Sequence, residues 1–369
     1  MAMMTRKAFI SSAAAVAAGS AALGFGSSWA SDEAYEAATL STWHHAKGAL
    51  TSDAMLKREL IRYATLAPSS HNTQCWKFGT TQNAISILPD VSRRCPAVDP
   101  DDHHLFVSLG CAAENLVQAS LANGLIAEPL FNLAIGAITV PLEATKSFAS
   151  PLYQAIPERQ CTRAAFDGTS ISNEELAMLE KAGQGNGVQL ILLTDEKAID
   201  RILEYVVAGN TAQVGNQAFV NELKAWIRFS KSEAVRTGDG LFSGASGNMS
   251  GPRWIGSRLF DVFFTAKNEN EKYAKHLRSS AGIAIFASES DDKAHWIEAG
   301  RCYQRFALQA TALGIRNAMI NQPVEVQALR PQLATYLEIG NRRPDLVVRF
   351  GRGPLMPRSL RRPVDDVLM

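Results

Sequence analysis

The sequence predicts an α+β protein assembled from two related halves, and three observations carry that expectation. Helical and strand-like periodicities alternate along the chain, one helix with matched glycines occurs twice, and two polar, ligand-like segments occur once each. The 369 residues leave room for two domains or one large bilobal unit. Lys and Arg total 37 against 36 Asp and Glu, a formal charge of +1, which argues against a phosphate-tracking nucleic-acid binder. With 46% hydrophobic and 20% charged residues, the composition is that of a folded body, not of a disordered chain or a coiled-coil rod.

Residues Met1 to Ala30 read as an export signal, with a basic start at Arg6 and Lys7, an Ala/Gly/Ser-rich apolar stretch from Ala8 to Phe25, and a small-x-small end at Ser28-Trp29-Ala30. The order Thr5-Arg6-Lys7-Ala8-Phe9 resembles a twin-arginine signal. Lys7 stands in place of its second arginine, so Sec export and an uncleaved membrane anchor stay open. The expected location is the periplasm or cell exterior, with the export machinery as a partner and no membrane contact once the signal is cleaved.

A polar lead segment is expected to about residue 50, with His44-His45 solvated. A helix follows from Ser52, apolar at Leu56, Leu60 and Ala64, and must end before Pro68. Short strands are expected at Trp76 to Gly79 and Ala84 to Leu88. Leu105, Leu109, Ala112, Leu116 and Ala119 then mark one face of a helix closed by Asn123-Gly124, and Pro129 to Val140 reads as a strand. Ser172 and Glu175 form a capping box for a helix to Ala182, before a strand at Val188 to Thr194 and helical stretches to about Ser230. A strand at Gly282 to Ala287, a helix from Lys293 to Leu313, and strands at Arg316 to Ile320 and Leu346 to Phe350 complete the series. The halves run over residues 31–150 and 151–369.

Gly110 and Gly124 are 14 residues apart, as are Gly300 and Gly314, and Leu116, Ala122 and Leu125 align with Phe306, Ala312 and Ile315. Anchoring the earlier helices on Glu59-Leu60 and Glu175-Leu176 sets the loop APSSHN against AGQGNG, and Arg159 and Arg163 against Trp43 and Lys47. Each polar feature is thus kept in one copy only, as expected of one ligand pocket built from both halves of a pseudo-dimer. In R-Q-C-T-R, Arg159 and Arg163 can close on one phosphate, while Arg358, Arg361 and Arg362 of the C-terminal tail either return to it or form a solvated charged end. In APSSHNTQCW, Ser69, Ser70, Asn72 and Gln74 offer hydroxyls and amides to a flat heterocycle, while Trp76 reads as core.

These segments carry a family resemblance. LIRYATLAPSSHNTQCWKF resembles the A-P-S-x-x-N-x-Q-P-W segment of the nitroreductase fold, and IPERQCTRAAFDGTSISNEELAMLEKA resembles that family's opening arginines and first helix. LVVRFGRGPLMPRSLRRPVDDVL is similar to its closing strand and phosphate-binding arginines. The duplicated order resembles the Acg group of FMN-binding proteins, from about residue 50 to the end. The resemblance implies an α-β-α sandwich of two fused copies, a monomeric pseudo-dimer binding one FMN non-covalently. Arg159, Cys161 and Arg163 would hold its phosphate and ribityl chain, helped by Arg361, Arg358 and Arg362. Ser69, Ser70, Asn72 and Gln74 would line the isoalloxazine, and Asn321, Gln322 and Pro323 would lie near its N5. Cys75 and Cys161 depart from the family's Pro and Ser. The implied activity is an FMN-dependent oxidoreductase passing a hydride from NADH or NADPH to a nitroaromatic, quinone or similar acceptor. The Gly/Ser-rich segment at about 236–254 is expected to be a lid, and a lid closed over the flavin would leave an FMN-sequestering protein instead.

Other readings are weaker. Cys75, Cys95, Cys111, Cys161 and Cys302 form no C-x-x-C pair and read as small buried side chains. Asp99-Pro100-Asp101-Asp102-His103-His104 could ligate a metal but reads better as an acidic turn capping the next helix, so no metal is expected. No G-x-G-x-x-G follows a strand and no G-x-S-x-G occurs.

Overall fold

The computed structural model describes residues 31–48 and 50–369, so the expected signal segment, residues 1–30, lies outside the described residues. The chain enters as helix α1 over residues 31–42, where the sequence suggests only a polar lead. Tyr35 of this helix is buried against Phe242, ring centroids 5.1 Å apart, so a distant contact orders a segment of unremarkable composition. The neighbouring His45 is not simply solvated: its Nδ1 lies 3.1 Å from the Tyr63 hydroxyl and its Nε2 3.2 Å from the Gln154 carbonyl.

Helix α2 (Asp53–Thr65) begins where the Ser52 hydroxyl accepts the Met55 N–H at 3.2 Å, and it stops ahead of Pro68. Strands β1 (Trp76–Thr80) and β2 (Ala84–Pro89) precede α3 (His103–Ala122), after which come β3 (Leu125–Ala127), β4 (Leu130–Asn132) and β5 (Ala137–Ala144). They form an antiparallel sheet ordered β1-β2-β5-β3, with β4 also on β5. The single strand expected over Pro129 to Val140 is therefore a hairpin. The chain reverses at Gly136, whose φ of +62° suits glycine, and Leu130 pairs with Thr139.

The second half runs through α4 (Pro151–Ala155), α5 (Asn173–Gly183), β6 (Val188–Leu193), α6 (Glu196–Val214), α7 (Gln217–Trp226) and β7 (Ile227–Arg228). It continues with α8 (Lys231–Thr237), β8 (Leu241–Phe242), α9 (Arg253–Phe263), α10 (Ala266–Arg278), β9 (Gly282–Ser288), α11 (Lys293–Ala312), β10 (Arg316–Met319), α12 (Gln322–Glu325), α13 (Arg330–Tyr336) and β11 (Arg343–Gly351). The capping box of α5 forms in both directions, with Ser172 and Glu175 exchanging two bonds of 3.2 Å. The four-stranded antiparallel sheet is ordered β10-β11-β9-β6. Alternation along β9 sends Ala284 and Phe286 into the core shared with α11, and Ile283 and Ile285 into a second core under α6 and α10. This sheet is accordingly sandwiched between helices. The first sheet buries alternate residues, such as Ile85 and Ile87, against α3 and leaves its other face half-buried.

Helices α3 and α11 cross at the centre of the core. A Cβ on Gly110 would lie 2.0 Å from the Ile297 carbonyl oxygen, and one on Gly300 would lie 2.1 Å from that of Val107. Each glycine thus meets the carbonyl three residues ahead of the other, and both backbones approach through the space a side chain would fill. Helix α3 is the one described helix long and apolar enough to cross a membrane, and most of it is buried here as core. The C-terminal tail leaves the second sheet and adds to the first: the Phe78 N–H donates to the Val367 carbonyl at 2.7 Å and the Met369 N–H to that of Phe78 at 3.0 Å. This return carries the tail arginines across the loop after α2.

Candidate functional site

Residues 159 to 163 run extended along the edge of the second sheet. Cys161 bridges to Asn317 of β10, the Thr162 N–H donates to the Asn317 carbonyl at 2.8 Å, and Arg349 donates to the carbonyls of Thr162 and Ala164. In an extended chain side chains alternate, so Thr162 turns inward and is buried while Arg159, Cys161 and Arg163 share the other face. All three line a cavity of about 70 Å³ with Trp43, Ser69, Asn72, Arg358 and Arg361. A larger cavity of about 500 Å³ shares Pro68, Ser69, Arg163, Leu241 and Met319 with it, within the usual range for a cofactor-sized ligand. Its floor is drawn from both halves: Ser70, His71, His104 and Ser108 from the first, and Asn321, Gln322 and Leu346 from the second. Phe219, Leu223, Leu259, Phe260, Phe263 and Phe264 make an apolar wall, and Leu241, Ser243, Ser246, Asn248 and Met249 of the Gly/Ser-rich segment complete the enclosure. Lys272 of α10 holds that segment by bonds to the Ser246 carbonyl and the Asn248 side chain at 3.5 and 3.3 Å.

The arginines differ in what they have left to give. Arg159 is 3% exposed and donates from Nη2 to the Leu66 carbonyl at 3.2 Å, while its Nε and Nη1 are buried without a partner. A buried guanidinium with two idle donors fits an anion, because an unpaired buried charge is costly. Arg163 borders both cavities, half-buried, with no acidic partner among the described residues. Arg361, by contrast, is spent on the end of α2: it donates to the carbonyls of Thr65, Leu66 and Ala67 and to Asn72 Oδ1 at 2.7 to 3.2 Å. It is a cap on a helix C-terminus, where a cation is favoured, more than a free anion ligand. Arg358 donates to the carbonyls of Pro157 and Glu158 and lies over the Trp43 ring at 4.9 Å. Arg362 lines neither cavity; its side chain donates to the Gln74 carbonyl at 3.1 Å.

The loop after Pro68 is equally divided. Ser69 and Ser70 face the larger cavity, but Asn72 and Gln74 do not. Asn72 Nδ2 donates to the carbonyls of Gly240 and Leu360 at 3.0 and 3.2 Å. Gln74 Nε2 donates to the Gly238 carbonyl at 2.9 Å and its Oε1 accepts the Arg362 N–H at 2.8 Å. They are staples that tie the loop to the enclosing segment and the tail. His71, Asn72 and Gln74 all hold positive φ, 48° to 54°, a cost these long-range bonds offset. Gly240 is needed at its end of the staple, because a Cβ there would lie 2.4 Å from the Trp226 carbonyl.

On the far side, Asn321 spends its Oδ1 on the Val347 N–H at 2.9 Å. Its Nδ2 therefore donates to His104 Nε2 at 3.1 Å, which places the His104 proton on Nδ1, facing Asp99 at 3.5 Å. Gln322 lines the cavity with an unpaired buried Oε1, whereas Pro323 is outside the lining and has no N–H to offer. Asp99 accepts the N–H groups of His104 and Leu105, both at 3.0 Å, the capping role its position predicts. Cys75, Cys95, Cys111 and Cys302 are buried, as is Trp76; Cys161 is half-buried.

His71 is the residue that motif reading passes over. Its ring borders the larger cavity with an unpaired Nε2, and burial, reinforced by the charge of Arg163, pushes its pKa down to about 4. Between 6.5 and about 4 the unfolded chain takes a proton that this folded ring refuses, so stability falls as pH drops through that window. His71→Gln is expected to flatten that fall, read as urea midpoints at the two ends of the window. Burial lowers His276 in the same direction, so part of the slope persists in the variant. An identical slope in both proteins would mean that the native ring takes up its proton as it does in the unfolded chain.

No family model matches the chain. Proteins named as nitroreductases are among those it is similar to. It is 24% identical over 329 residues, 86% of this chain and 92% of the relative, to a Mycobacterium tuberculosis protein named "Putative NAD(P)H nitroreductase Rv3131". Partial likeness extends to the FMN-dependent nitroreductase NfnB of Mycobacterium smegmatis solved with NADPH, at 15% identity and a TM-score of 0.36, covering 59% of this chain and 91% of that one. It extends also to a nitroreductase with bound FMN from Desulfitobacterium hafniense, at 12% identity and a TM-score of 0.37, covering 59% and 97%.

Proposed function

We propose that the protein is an FMN-dependent NAD(P)H oxidoreductase of the nitroreductase type, with one composite flavin site made by two fused copies of the fold and an exported location. The observation that carries the reading is Arg159, a buried guanidinium with two idle donors lining the small cavity that adjoins the larger one. The chain's likeness to a protein named "Putative NAD(P)H nitroreductase Rv3131" over most of both sequences supports the same reading.

Bound FMN would supply the hydride chemistry itself. The chain's own residues bind and orient. Arg159 and Arg163 would hold the phosphate, with Cys161 lining the same cavity. Ser69 and Ser70 offer hydroxyls, and Gln322 Oε1 offers an acceptor, along the cavity that would take the ring. The aromatic wall from α7 and α9 excludes water and favours a flat, apolar acceptor such as a nitroaromatic or quinone. Arg361, Asn72, Gln74 and Arg362 act one step back, holding the loop that presents Ser69 and Ser70.

The test is the visible spectrum of the purified protein, followed anaerobically as NADH or NADPH is added. Oxidised-flavin bands that bleach are expected. Flavin that stays oxidised would instead favour the sequestering alternative, with residues 241–249 acting as a closed lid, and a protein that cannot be loaded with FMN would refute both.

A further inference from the structure

The outer wall of the larger cavity is also an exposed apolar surface. Helix α9 buries none of its residues fully. Trp254, Ile255, Arg258, Leu259, Val262 and Phe263 recur at i, i+1, i+4, i+5, i+8 and i+9, which is one face of a helix, and every one of them is exposed. Trp254 is 69% exposed, Val262 65% and Phe263 59%. Leu259 and Phe263 also line the cavity, so the apolar surface runs without a break from outside the protein to the pocket.

Arg258 stands in the middle of this face with no acidic partner among the described residues. The charges beside the face are already matched: Arg253 pairs with Glu233 at 3.3 Å and Asp261 with Lys224 at 2.5 Å. What the face lacks is therefore an anion bordered by hydrocarbon. A second copy of this chain does not supply one, because two-fold pairing through the face would bring Arg258 towards its own counterpart. A lipid headgroup does.

The start of the described chain points to the same side. Asp32 is paired with Lys231 at 2.9 Å, and Glu233, in the same first turn of α8, is paired with Arg253 at the start of α9. The sequence preceding residue 31 holds the apolar stretch Ala8 to Phe25. Chain entry and the α9 face thus meet on neighbouring residues of one helix turn.

We propose that α9 docks on the surface of an anionic lipid bilayer, with Trp254 and Val262 among the acyl chains and Arg258 at the headgroup phosphates, so that the cavity is walled by the docked helix. The sequence predicts no membrane contact for the mature chain, and the exposed face of α9 is the reason to depart from that.

The test uses the full chain with phosphatidylcholine vesicles, with and without phosphatidylglycerol. Brominated lipid is expected to quench part of the tryptophan fluorescence, and Trp254→Phe is expected to lose that part. Arg258→Glu and Val262→Asp are each expected to lower the vesicle partition coefficient by roughly tenfold, Arg258→Glu through loss of the phosphatidylglycerol dependence. Equal quenching in Trp254→Phe, or partitioning that neither substitution changes, would overturn the proposal and assign any binding to another part of the chain. A vesicle-free dimer that Val262→Asp converts to monomer would overturn it in favour of a second copy.

Discussion

Gly110→Ala is expected to destabilise the protein by about 3 kcal/mol, the upper end of what overpacking usually costs. The added Cβ would sit 2.0 Å from the Ile297 carbonyl oxygen and 2.9 Å from its carbon, and both are backbone atoms that no rotamer change can move aside. Relief requires α3 and α11 to separate along the core that both halves share. Gly300→Ala should cost about as much, since its Cβ would meet Val107 at 2.1 Å. One separation relieves both clashes, so the double variant should be more stable than the sum of the singles by about 1 kcal/mol or more. Denaturant midpoints at unchanged slope measure this, and a loss below about 1 kcal/mol for either single variant would show that the crossing gives way easily. Val107, Ser108 and Cys111 of α3 line the larger cavity, so weaker ligand retention should accompany the lost stability.

Arg159→Met is expected to weaken FMN retention by at least about 2 kcal/mol, roughly 30-fold, while leaving the ligand-free protein as stable as before or more so. The two halves of that expectation have one cause. Without an anion, Arg159 holds a buried charge with Nε and Nη1 unpaired, and an apolar chain of similar length removes that cost. With phosphate present, the same two donors become charge-assisted bonds that methionine cannot make. Arg163→Ala should cost less, about 1.5 kcal/mol, because Arg163 is only half-buried and water already satisfies part of its guanidinium. Flavin fluorescence during dialysis and thermal melts of the flavin-free proteins separate the two effects. Unchanged retention in Arg159→Met would remove the phosphate role, and a large loss of apo stability would make Arg159 a structural residue.

Much of the secondary structure is legible in short stretches of sequence. Ser52 before α2, the Ser172–Glu175 box before α5 and Asn123 after α3 each act within four residues of themselves, so local spacing suffices to place them. The turn at Gly136 is less visible, because Leu130 to Val140 is apolar enough to read as one strand until Leu130 is paired with Thr139. Helix α1 is not legible, since what orders it is Tyr35 packed on Phe242.

For the pocket, the inventory is readable from the chain alone: which arginines, hydroxyls and amides RQCTR, APSSHN and the tail contain. Which of those groups are free depends on contacts made in the folded chain. Arg159 and Arg361 are the same residue type in equally suggestive motifs, yet one keeps two idle donors and the other is consumed by carbonyls at the end of α2. Asn72 and Gln74 are likewise spent on Gly238, Gly240 and the tail, while Gln322 and His71, the second of which no motif singles out, keep an open polar atom. The physical reason is that a cap or a periodic face is settled by neighbours along the chain, whereas a buried donor is settled by whichever distant backbone reaches it first. The segments that reach the loop after α2 come from the far end of the sequence, and nothing within a few residues of Pro68 encodes their arrival.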